Sequence, residues 1–106
     1  METSILPEQC HCMSEVRRGV DATDRELLQL LARRFSYMRA AARIKEERGM
    51  VRDMDRKAQV IANARADAQR LGVPVEVIES LWDQLVEASI AYEMDEWDRI
   101  RNRSAV

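Results

Sequence analysis

An apolar rhythm of helical period runs from Ser14 to about Lys45, and it occupies nearly a third of a chain of 106 residues. Val16, Val20, Leu27, Leu30, Leu31, Met38 and Ala41 recur mostly three, four or seven apart. The pattern predicts one helix of about 30 residues with Ser14 as its N-cap, roughly 45 Å long. Gly19 inside it costs about 1 kcal/mol relative to Ala. So long a helix exceeds what a compact monomer of this size can cover. Self-association is the expected remedy, with long helices packed together in a dimer. A regulatory coiled coil fits less well, because the stripe lacks sustained heptads.

The stretch "ERGMVRD" ends the first pattern. Asp53 then offers an N-cap for a second helix through Ala58, Ile61, Ala64 and Ala68 to about Leu71. Gly72 at C′ and Pro74 close it and open the next. A third helix is predicted from Val75 to about Arg101, carrying Ile78, Trp82, Leu85, Val86, Ile90, Trp97 and Ile100. No hairpin signal or internal repeat interrupts this order. With 5% aromatic residues, three Gly and two Pro, the composition suits helices better than a sheet. The expected fold class is therefore all-α, with three helices per chain (long, medium, long) in a helical homodimer. Residues 1–12 read as an irregular lead-in, 13–103 as a single helical domain and 104–106 as a tail.

Several classes of partner are disfavoured. "METSILPEQC" has neither the basic nor the apolar region of a secretory signal, and no apolar run approaches the roughly 18 residues of a membrane span. The cytoplasm is the default, and no membrane partner is expected. A net charge of −2 without a long basic block argues against nucleic acid. Cys10 and Cys12 flank the single His11, but one such cluster offers too few ligands for a metal. Reduced thiols on the lead-in are the plainer reading.

The long helix carries an anomaly. With Arg34 set at zero and about 100° per residue, Leu27 falls near 20°, Leu31 near 60°, Leu30 near 320° and Met38 near 40°. Lys45 lands at about 20°. Two cations thus occupy the apolar stripe, while Arg33, Arg39 and Arg43 fall on the other side. Buried cations need an anion nearby. The third helix repeats the anomaly with opposite sign. With Glu93 at zero, Val86 lies near 20°, Ile90 near 60°, Trp97 near 40° and Trp82 near 340°, with Ser89 on the same face at about 320°. One reading is a buried salt-bridge network of Arg34, Lys45 and Glu93 that only fixes register. The other is a site for an anionic ligand, because one carboxylate facing two cations leaves positive charge to be balanced. Ala41 and Ala42 between the cations leave room for it. Arg34 and Lys45 are about 16 Å apart along the axis, within reach of a small molecule bearing several oxygens. Arg17 is about 25 Å from Arg34 and about 42 Å from Lys45, too far to serve the same pocket from its own chain. In an antiparallel dimer the partner's Arg17 could.

The segments "EVRRGVDATDRELLQLLARRFSYMRAAARIK", "VRDMDR" and "SIAYE" resemble the all-helical (type II) chorismate mutase family. The likeness is an ordered set: Arg, Asp-x-x-Asp, Leu-Leu, Arg, Lys, Asp-x-x-Arg and a final Ser-x-x-x-Gln/Glu, over about residues 10 to 97. The "EQC" lead-in and the aromatic tail resemble the isochorismate-pyruvate lyase subgroup. The resemblance implies an intertwined homodimer with two sites, each completed by Arg17 from the other subunit. It implies carboxylate binding by Arg34 and by that Arg17. It puts Lys45 on a substrate carboxylate and the ether oxygen, and Glu93 on the ether oxygen. It brings Asp53, Arg56 and Ser89 near the substrate. Two positions depart from the pattern: Glu93 stands where many members have Gln, and Lys57 stands where the simplest bacterial members have Glu.

The chemistry so implied is the pericyclic rearrangement of the dianion chorismate to prephenate, which needs no nucleophile, metal or cofactor. It needs the enolpyruvyl arm held over the ring and donors placed at the ether oxygen. Lys45 is such a donor, and Glu93 is one only when protonated, because a carboxylate accepts. Two alternatives stand beside this expectation: cleavage of isochorismate to salicylate and pyruvate in much the same pocket, and a non-catalytic helical dimerisation module.

Overall fold

The computed structural model describes residues 5–103. The first four residues of the expected lead-in and the expected tail at 104–106 lie outside the described residues. Three helices follow in order: α1 (Met13–Ile44), α2 (Met54–Leu71) and α3 (Val75–Arg103). Short 3-10 turns precede α1 at Pro7–Gln9 and join α1 to α2 at Arg48–Met50. No strand occurs among the described residues. The all-α class and the long, medium, long order of three helices are those expected. Among the described residues no helix is long and apolar enough to cross a membrane.

The chain divides between Ser36 and Tyr37 into two compact units. In the first unit the lead-in is more ordered than its composition suggested. Pro7 opens a 3-10 turn, the Leu6 N–H donates to Gln9 Oε1 at 3.3 Å, and the Cys10 thiol donates to the Leu6 carbonyl at 3.7 Å. Helix α1 starts at Met13, two residues before the first helical position that a Ser14 cap would give, so Ser14 is inside the helix and does not cap it. Glu15 explains the shift. Its carboxylate accepts the His11 N–H at 3.0 Å and the Cys12 thiol at 3.4 Å, while the Cys12 carbonyl takes the Val16 N–H at 3.3 Å. The His11 bond, foremost, holds the Glu15 carboxyl below its ordinary value. Along this part of α1, Val16, Val20, Leu27, Leu28 and Leu30 are exposed. Ile5, Leu6, Pro7, Val16 and Val20 are among the residues lining an apolar recess of about 430 Å³.

The second unit builds its core between α2, α3 and the connection that precedes α2. Ala64 and Ala68 are buried on α2, which packs on α3. Val51, Val86 and Ile90 form the central cluster, with Val60, Met94 and Trp97 against it. Both ends of α2 are set locally. Asp53 Oδ1 accepts the Arg56 N–H at 3.0 Å, an N-cap of the expected kind. At the other end Gly72 takes φ of +72°, and the N–H groups of Gly72 and Val73 return to Gln69 and Ala68. Glycine adopts this left-handed conformation without the steric penalty of a side chain.

Candidate active site

Helix α3 places Val86, Ser89, Ile90, Glu93 and Trp97 three and four residues apart, so they share one face. Burying the apolar members takes Ser89 and Glu93 inside with them, to 3% and 4% exposure. These are the buried polar residues among those described. Each is satisfied in a different way. The Ser89 hydroxyl donates to the Leu85 carbonyl one turn back at 2.6 Å. Glu93 Oε2 accepts from Lys45 Nζ at 2.7 Å. A carboxylate so enclosed is tolerable only with a partner. The Lys45 side chain keeps 26% of its surface exposed, so the pair lies at the edge of the interior.

Lys45 is the first residue past α1, and its N–H still bonds to the Ala41 carbonyl at 2.9 Å. Helix ends leave carbonyls without partners, and a Gly or Asn in the left-handed region usually helps to satisfy them. Here "KEE" follows Ile44, and Gly72 is the one described residue with positive φ. Helix α3 supplies the donors instead. Trp97 Nε1 donates to the Lys45 carbonyl at 3.1 Å. Arg101 donates to the Ala42 carbonyl at 2.9 Å and to the Lys45 carbonyl at 2.7 Å. Its guanidinium lies 4.1 Å from the Trp97 ring centroid, a stacked cation–π contact.

The connection to α2 is tied to α3 as well. Arg48 makes a two-pronged pair with Asp98 at 2.9 and 3.2 Å, and Arg52 a second with Glu87 at 2.8 and 3.1 Å. Lys57 meets Asp83 at 3.0 Å and Glu87 at 2.7 Å. Hydrogen bonds from Arg52 and then Lys57 hold the Glu87 carboxyl at about 2, well below its ordinary value. Lys45, Met50, Arg52, Asp53, Met54 and Asp55 line an open recess of about 430 Å³ beside these ties.

The expected site residues therefore separate into groups. Lys45 and Glu93 meet directly, Ser89 is buried one turn from Glu93, and Asp53 lines the recess with Lys45. Asp53 also caps α2, which accounts for its carboxylate without a ligand. Arg56 is exposed, and its guanidinium donates to Gln59 at 2.7 Å. Arg17, exposed, and Arg34, half-buried, belong to the first unit. Sequence reasoning missed Arg52, Glu87 and Arg101. For Arg101 a signal existed: it follows Trp97 by four residues, which places a cation over an aromatic ring on one helix face. Lys57, noted only as a departure, is a tie between α2 and α3 through its two acids. Among the described residues no group of His, Cys, Asp and Glu is arranged to hold a metal ion, and Cys10 and Cys12 are free thiols.

The family model for chorismate mutase type II matches residues 16–94. Isochorismate pyruvate lyase of Pseudomonas aeruginosa is 27% identical over 95 residues, covering 90% of this chain and 94% of that protein. The T-protein of Enterobacter agglomerans is 30% identical over 84 residues, and that of Haemophilus influenzae 26% over 82. Those two matches cover 78% and 76% of this chain but only 22% of each T-protein.

Proposed function

The chain belongs to the type II chorismate mutase family, and on that premise we propose that it rearranges chorismate to prephenate in a pocket built around Lys45 and Glu93. The observation that carries this reading is the Lys45–Glu93 contact of 2.7 Å beside an open recess. Its carboxylate is enclosed, while its ammonium keeps a water-facing side. An ammonium held this way can donate to the ether oxygen as its C–O bond breaks and negative charge gathers there. A pre-placed donor of that kind needs no reorganisation during the reaction.

The rest of the assignment follows the substrate's charges. Arg34 and the partner's Arg17 hold the two carboxylates and keep the enolpyruvyl arm over the ring, an effect of orientation. Asp53, Arg56 and Ser89 complete the surroundings. Glu93 as a carboxylate orients Lys45; carrying a proton, it becomes a second donor to the ether oxygen. An intertwined homodimer is part of the proposal. The exposed apolar residues of α1 and the apolar recess at its start are surface that a second copy would cover. The reaction is pericyclic and calls on no cofactor or metal, and its partner is a small dianion in the cytoplasm.

A second reading, cleavage of isochorismate to salicylate and pyruvate, is favoured by the match to an isochorismate pyruvate lyase along 94% of its length. Each substrate is given separately to the purified protein, and the products are identified by NMR. Prephenate from chorismate supports the mutase, and salicylate with pyruvate from isochorismate supports the lyase. Consumption of neither leaves a helical dimerisation module.

A further inference from the structure

We propose that Trp97 and Arg101 are positioning residues: they lock the end of α1 so that the Lys45 ammonium is presented to Glu93 and to the reacting oxygen. The inference rests on the proposed role of Lys45, and it concerns residues that touch no substrate. Helix α1 stops without a local device of its own. Its Ala42 carbonyl and the carbonyl of Lys45 would otherwise need water. Three N–H groups from α3 reach them instead, at 2.7 to 3.1 Å. One Arg fork bridges two carbonyls three residues apart, which fixes the last turn as a unit. The guanidinium also sits at the negative end of the helix dipole and stacks on the Trp97 ring.

The placement matters because of what shares the face. Glu93, Trp97 and Arg101 are successive residues at spacings of four on α3. Glu93 takes the side chain of Lys45, and the two residues beyond it take its main chain. One rigid helix thus grips a single lysine at both ends. A lysine has four rotatable bonds and loses much freedom when fixed. Holding its carbonyl removes the backbone share of that disorder before substrate arrives.

The test uses Arg101→Ala, Arg101→Lys and Trp97→Phe in the full chain, with Arg99→Ala as an exposed control. Lysine keeps the charge but not the fork, and phenylalanine keeps the ring but not the N–H, so both conservative variants should fold if Arg101→Ala does not. Four quantities are read: kcat and KM per folded molecule, thermal stability, and the 15Nζ NMR signal of Lys45, which is protected from exchange while it is bonded to Glu93. The expectation for Arg101→Ala is a kcat lowered about tenfold to a hundredfold, since a misplacement of about 1 Å can cost as much. KM should change by less than about threefold. The Lys45 signal should broaden or vanish, and the two conservative variants should be intermediate. The control should match the wild type. A Lys45 signal or a kcat that stays at the wild-type level in all three variants overturns the inference, whatever the melting temperature does. If the wild type consumes neither chorismate nor isochorismate, the functional reading fails on that result, and the Lys45 signal alone decides whether α3 positions this lysine.

Discussion

Lys45→Ala separates a catalytic pair from a structural one when it is combined with Glu93→Gln. Alone, it leaves the Glu93 carboxylate 4% exposed and without its 2.7 Å partner. Removing one member of a buried pair costs about 3–5 kcal/mol. Because Lys45 is 26% exposed, water reaches its side of the pair, and the lower end of that range, about 3 kcal/mol, is expected. The single variant should also lose about 3–4 kcal/mol of transition-state stabilisation, or a factor of about 10²–10³ in kcat. In the double variant nothing charged remains inside at this point. Most of the lost stability should return, because the amide is cheaper to bury than an unpaired charge. Activity should not return, since no ammonium is there to donate. Urea denaturation and steady-state kinetics on the same preparations read the two effects. A double variant that regains activity together with stability would refute the reasoning, because the pair would then serve only to hold the fold.

Three further outcomes are expected on the proposed reading. Sedimentation equilibrium at micromolar concentration should give twice the chain mass, and mixing Arg17→Ala with Arg34→Ala subunits should restore one intact site of two; a fully active monomer contradicts the shared site. If Glu93 works as a donor to the ether oxygen, Glu93→Gln, whose amide also donates, should keep most of kcat in steady-state assays. A Glu93→Gln variant slower by about tenfold or more means that the carboxylate acts by orienting Lys45. Glu87, with its carboxyl held at about 2 by Arg52 and Lys57, contributes stability that is present above its ordinary value of 4.5. That contribution is lost as pH falls towards 2, so acid melts of Glu87→Gln should decline less steeply than the wild type's across this interval, where Glu15 and Glu96 still titrate.

What was legible in the sequence was local or periodic. Asp53 and Gly72 bracket α2 because each acts within a few residues of itself, through one side-chain oxygen and one permissive backbone. Glu93 stood out because a charge at the centre of an apolar stripe is improbable without a partner, and its partner is Lys45. The start of α1 was misplaced by two residues because Glu15 reaches back to His11, and "CHCMSE" offers several competing caps.

The end of α1 was expected near Lys45 and falls at Ile44, but what holds it there was not legible. Its last carbonyls are held by Trp97 and Arg101, more than fifty residues away. No window along the chain contains both the carbonyls and the donors. The ties of Arg52 and Lys57 to Glu87 are non-local in the same way, and on a helical wheel those acids look like an ordinary solvated face. The connection that holds Lys45, Arg52 and Asp53 therefore has little order of its own in the sequence and takes its shape from α3. This is a physical reason for the lysine proposed to act on substrate to sit just past a helix end. The backbone there is free of the helical register, and a second helix can set it where the chemistry needs it. Exposed ion pairs contribute little each, about 0–1 kcal/mol. Arg48–Asp98 and Arg52–Glu87 therefore act mainly by limiting the connection to one conformation, and their removal should disturb the alignment of Lys45 more than the stability of the fold.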